Sequence, residues 1–67
     1  MKIPHPCLSV VVNFNDGNQN VIVPSSKVDE WEDSYEFTET VGEGDYKRNN
    51  LHVIFKSEIR NIVFTSK

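Results

Sequence analysis

Apolar side chains recur at every second position in several stretches of the chain, the period of a pleated strand with one buried face. Leu8, Val10, Val12 and Phe14 make the first such row, with Ser9, Val11 and Asn13 between them. Asn15-Asp16-Gly17-Asn18 follows. An Asp-Gly step between β-branched runs predicts a hairpin, because glycine takes the positive φ that a tight turn needs. The returning strand is expected over residues 19–23, where Pro24, lacking an amide hydrogen, ends it. Over residues 34–40, Tyr35 and Phe37 point one way while Glu36 and Thr38 point the other. Leu51, Val53 and Phe55 then alternate with His52, Ile54 and Lys56, and His52 falls on the less apolar parity. It is therefore expected as a half-exposed surface histidine. A last run over residues 59–65 sets Arg60, Ile62 and Phe64 on one parity and Ile59, Asn61 and Val63 on the other.

The breaks between these rows are short. Lys56-Ser57-Glu58 has neither Gly nor Pro and is too brief for an α-helix, which predicts one 3₁₀ turn between two strands. Gly42-Glu43-Gly44-Asp45 is a flexible turn and Lys47-Arg48-Asn49-Asn50 a polar bend. One helical turn is expected over residues 28–33. Ser26 would cap it, Asp29 standing three residues on where a capping-box glutamate would be, and Val28 and Trp31 would share a face. The expectation is an all-β domain, a five-stranded small barrel or meander with one short helical turn. Such a chain hides its strand edges by curling into a barrel or by pairing with another copy.

The 67 residues make one domain. A chain this short buries only about 60% of the surface its unfolded form exposes, so the core is thin and homo-oligomerisation is a natural way to bury more. No apolar run nears the ~20 residues that span a bilayer, so no membrane association is expected, and no signal peptide is read in Met1-Lys2-Ile3-Pro4-His5-Pro6. The single cysteine, Cys7, cannot close an internal disulfide, which points to a cytoplasmic protein.

Charge is unevenly spread. The net charge is -3, but Asp29, Glu30, Glu32, Asp33, Glu36, Glu39, Glu43 and Asp45 lie in one stretch that holds no Lys or Arg. The plain reading is a solvated face that keeps a small β protein soluble. The sharper one is a recognition surface for a basic protein partner. Trp31, Tyr35, Phe37 and Tyr46 interleave the carboxylates, and aromatics are the usual anchors of interfaces.

Val53-Ile54-Phe55-Lys56-Ser57-Glu58-Ile59-Arg60-Asn61-Ile62 resembles the closing motif of Sm-like proteins, in which an aromatic-lysine strand end leads through a tight turn to an isoleucine that opens the last strand. Phe55-Lys56 keeps the aromatic-lysine part, but Ser57 stands where the bacterial RNA chaperone of that family has its RNA-contacting histidine. Residues 1–7 offer no counterpart to the family's N-terminal helix. SH3-like barrels share the strand, 3₁₀ turn, strand ending, so the resemblance implies an SH3-like or Sm-like architecture more than a function. By size and composition the chain is also similar to short proteins of phages and other mobile elements, many of which bind a host protein or sequester a signalling molecule.

The remaining chemistry is sparse. His5, Cys7 and His52 lack the paired spacing of a structural zinc site. Neither Cys7 with His52 nor the carboxylate pairs Glu30/Asp33 and Glu43/Asp45 come with the orienting groups and cleft that catalysis needs. Asn13 to Asn18 has oxygen ligands at the spacing of the first half of an EF-hand loop, but no bidentate glutamate follows, and a hairpin turn accounts for it. Phosphate contacts need clustered cations. Lys47, Arg48, Lys56 and Arg60 could gather with His52 on one face, with Tyr46 and Phe55 as stacking surfaces.

The reading is a non-enzymatic binding module without metal or cofactor, plausibly phage- or mobile-element-encoded. It would act by stoichiometric association with a host protein through Asp29, Glu30, Trp31, Glu32, Asp33 and Tyr35. The alternatives are an Sm-like RNA-binding oligomer using Lys47, Arg48, His52, Lys56 and Arg60, and an oligomer that sequesters a nucleotide-like molecule through Lys47, Arg48 and backbone amides.

Overall fold

Every segment expected as strand forms one. In the computed structural model, which describes residues 1–66, these are β2 (Ser9–Phe14), β3 (Gln19–Ile22), β5 (Ser34–Val41), β6 (Arg48–Phe55) and β7 (Ile59–Thr65). Two further strands, β1 (Ile3–Pro6) and β4 (Lys27–Glu30), bring the total among the described residues to seven, where five were expected. The expected barrel is not closed. The strands divide into two antiparallel sheets, β1-β4-β5-β6 and β3-β2-β7.

The extra strands have local causes. Pro4 and Pro6 lack amide hydrogens, which reads against a strand, but β1 lies at a sheet edge, where proline is tolerated. The helical turn expected over residues 28–33 is replaced by β4 and a tight turn. Val28 is fully buried, and extended backbone sets it opposite His5 of β1 while Asp29 pairs with Glu36 of β5. One helical turn could not pair on both sides at once. The β4–β5 hairpin closes where the Trp31 amide donates to the Ser34 carbonyl at 2.8 Å.

The β2–β3 hairpin turns as its sequence predicts. Gly17 sits at φ +94°, and the Asn18 amide donates to Asp16 Oδ1 at 2.9 Å. The 3₁₀ turn Lys56–Glu58 joins β6 to β7 and carries the chain from one sheet to the other. A second 3₁₀ turn, Gly44–Tyr46, lies between β5 and β6. Just before it, Gly42 has φ +92°, and any Cβ there would collide with the Tyr46 carbonyl oxygen.

The core lies between the sheets: Val10, Val12 and Ile22 from one, Val28, Phe37 and Ile54 from the other. Cys7, Phe14, Tyr35, Ile59, Ile62 and Phe64 pack around it, half-buried. A bulge lets Ile59 join them. Asn13 pairs with Asn61 but Phe14 pairs with Ile59, so Arg60 has no partner opposite and parity changes at that point.

One parity is the reverse of expectation. In β6 the inward residues are Ile54 and His52, opposite Tyr35 and Phe37. Leu51, Val53 and Phe55, the more apolar row, point to solvent and remain 65%, 46% and 52% exposed.

Candidate functional site

A cluster of interacting charged and aromatic side chains is built on Glu30, the last residue of β4. Its Oε1 lies 2.7 Å from His5 Nε2 of β1, and its Oε2 accepts from Lys56 Nζ at 2.7 Å. An ionised carboxylate only accepts, so the facing Nε2 of His5 carries the proton. The Lys56 ammonium also stands 5.2 Å above the Tyr35 ring. His5 stacks on Phe64 of β7 at 4.5 Å, and Phe64 meets Tyr35 edge-on at 5.9 Å. One chain of contacts thus ties both sheets and the 3₁₀ turn together. The hydrogen bonds from Lys56 and then His5 hold the Glu30 carboxyl below its ordinary range, and Glu30 in return raises the Lys56 ammonium. Of the six residues expected to contact a partner, Glu30 and Tyr35 are therefore engaged inside this cluster.

The other four lie apart from it. Asp29 points out of the opposite face of β4, against Glu36 and 3.3 Å from Lys27 Nζ. Trp31, Glu32 and Asp33 form the β4–β5 turn. The indole is 42% exposed, the Glu32 side chain is almost wholly in solvent, and Asp33 is exposed. Among the described residues, Glu32 pairs with the N-terminal ammonium, 3.5 Å away and itself exposed, a contact worth little in water.

The five basic residues considered for nucleic acid or nucleotide do not converge. Lys56 is committed to Glu30. His52 faces inward, stacked on Phe37 at 5.0 Å with Nε2 3.0 Å from Glu39 Oε1. Lys47 and Arg48 are exposed at the start of β6, roughly 26 Å of extended strand from Lys56. Arg60 stands exposed at the bulge of β7. Tyr46, next to Lys47 in the chain, is 87% exposed and open to stacking.

Burial pushes the Cys7 thiol up, outweighing a hydrogen bond with the Val28 backbone, so the protonated, less nucleophilic form is favoured. Among the described residues no three His, Cys, Asp or Glu side chains converge to hold a metal ion, and no helix is long and apolar enough to cross a membrane.

Two features escaped the sequence reading. The cluster around Glu30 joins residues up to 59 positions apart along the chain, His5 to Phe64, and no local spacing signals it. The apolar row Leu51, Val53, Phe55 was visible as a pattern, but its direction was not.

Fold and surface together define a small all-β protein of two antiparallel sheets. Comparison of the chain with protein-family models, with curated proteins and with solved structures finds no match.

Proposed function

We propose that this protein is a non-catalytic binding module that captures a basic protein partner at the β4–β5 turn. The observation that carries the reading is the half-exposed indole of Trp31 set between carboxylates at an exposed turn. A tryptophan open to solvent is an anchor in search of a pocket, and flanking charges steer a complementary surface onto it. The contact set narrows to Trp31, Glu32 and Asp33. Glu30 and Tyr35 act one layer below, holding the end of β4 against the 3₁₀ turn.

Acting by stoichiometric association suits a domain whose histidines are both tied to carboxylates and stacked on phenylalanines. An RNA-binding oligomer draws less support, because Lys56 and His52 are engaged and Lys47, Arg48 and Arg60 are scattered.

Trp31 is the chain's single tryptophan, so its emission reports on the turn alone. A titration with Lys/Arg-rich peptides should shift that emission, with affinity falling as salt rises. The double variant Glu32→Lys, Asp33→Lys should lose the response while keeping its far-ultraviolet spectrum. Peptide binding that leaves Trp31 emission unmoved, or that survives the charge reversal, would remove the turn as the site.

A further inference from the structure

We infer that a second copy of this chain docks on β6, edge to edge and antiparallel, about a two-fold axis through Val53. The inference rests on three features of β6 and is independent of Trp31, Glu32 and Asp33.

The first is the open edge. β6 is the last strand of its sheet and is eight residues long. The Lys56 amide donates to the Asp33 carbonyl of the β4–β5 turn, next to β5, at 2.8 Å. Antiparallel ladders alternate, so even-numbered residues of β6 direct their backbone groups at β5. The amides and carbonyls of Asn49, Leu51, Val53 and Phe55 are aimed off the edge. A long unpaired edge of this kind is a template for another strand, and two of the usual safeguards are missing: β6 has no proline and no bulge in its pairing with β5.

The second is the apolar row itself. The residues whose backbone is free are the ones whose side chains, Leu51, Val53 and Phe55, lie exposed on the outer face. The molecule exposes 4834 Å² in all, where a monomer of 7.7 kDa ordinarily exposes about 4,300 Å². The row is part of that surplus.

The third is self-complementarity, which selects the occupant. A half-turn about Val53 sets Val53 against Val53 and Leu51 against Phe55 on the same face. Up to about six main-chain hydrogen bonds then cross the axis. Centring on Leu51 instead would set Val53 against Asn49 and Phe55 against Lys47, losing the apolar match. The two four-stranded sheets would merge into one of eight strands with no β6 edge left over. An interface of this kind buries on the order of 1,000 Å², the small end of specific association, so the dimer should dissociate on dilution.

Sedimentation velocity over a dilution series of the full chain tests this. The expected result is a concentration-dependent shift from 7.7 kDa to twice that mass. Val53→Lys should weaken dimerisation at least tenfold. So should Val53→Pro, which removes an edge donor without touching the ladder to β5. Val21→Lys, on the exposed outer face of the other sheet, should leave it unchanged. Far-ultraviolet circular dichroism checks that each variant is folded. A monomer at every concentration would overturn the inference, as would a dimer indifferent to Val53→Lys. A larger ring, which head-to-tail pairing of β6 with β7 would make, would do the same.

Discussion

The two faces of the four-stranded sheet carry similar side chains and have opposite fates. On the inner face Val28, Phe37 and Ile54 are sealed against the second sheet. On the outer face Leu51, Val53 and Phe55 form an equally apolar row with nothing over it. Both rows alternate with period two, and both lie on regular strands. The difference is that β3-β2-β7 covers only one of them. Apolar alternation therefore identifies a sheet, while the direction of the core depends on where the second layer sits. An uncovered apolar row is also the more informative of the two, since a buried one needs no explanation beyond folding.

Paired substitutions on the two faces sharpen this contrast, and the largest effect belongs to phenylalanine. Phe37→Ala should cost about 3–5 kcal/mol, enough to unfold much of a domain this size, because it empties the centre of a thin core. Phe55→Ala should shift monomer stability by no more than about 0.5 kcal/mol. Urea titration at low protein concentration compares them, and equal midpoints would contradict the assigned faces. A smaller step tests adjacent residues of one strand. Ile54→Val should cost about 1 kcal/mol, and Val53→Ala, one position away but on the other face, close to nothing.

The inner face also holds the Glu30 cluster, whose contribution should appear as pH dependence. The folded-state carboxyl titrates below its ordinary value of 4.5, so the unfolded chain takes up a proton first as acid is added. Stability from this group is complete above that value and is lost as pH falls through the folded value. Lys56 behaves in the opposite sense. Its folded-state value is raised above 10.5, so its contribution is complete below that value and fades as pH rises past it. Glu30→Gln should lower the melting temperature at neutral pH and flatten its decline in acid. A variant that melts with an unchanged acid limb would detach the cluster from stability. The smallest effect is expected at the turn. Glu32→Lys with Asp33→Lys should leave the melting temperature almost unmoved, because both side chains are exposed and the pair of Glu32 with the N-terminal ammonium is itself in solvent.

Much of the fold was legible in the chain. The hairpin at Asp16-Gly17, the 3₁₀ turn at Lys56–Glu58 and all five expected strands follow from local rules, since glycine geometry and side-chain period act within a few residues. β1 and β4 were not legible. Two prolines in β1 and a plausible helix cap before β4 point locally to other structures, and pairing between strands more than twenty residues apart overrode them. Of the candidate site, the exposed Trp31-Glu32-Asp33 turn could be named from charge and aromatic content. That Glu30 and Lys56 bind each other, and so leave the pool of contact residues, could not.

The chain alone determined that this protein is all-β, where it turns, and that its carboxylates gather in one stretch, because each of these is a property of neighbours in sequence. Tertiary structure decided that the strands part into two unclosed sheets and that Ile54 rather than Val53 faces the core. It also decided that His5, Glu30 and Lys56 meet. These outcomes depend on which surfaces the second sheet covers, and distant strands settle that only when they pack.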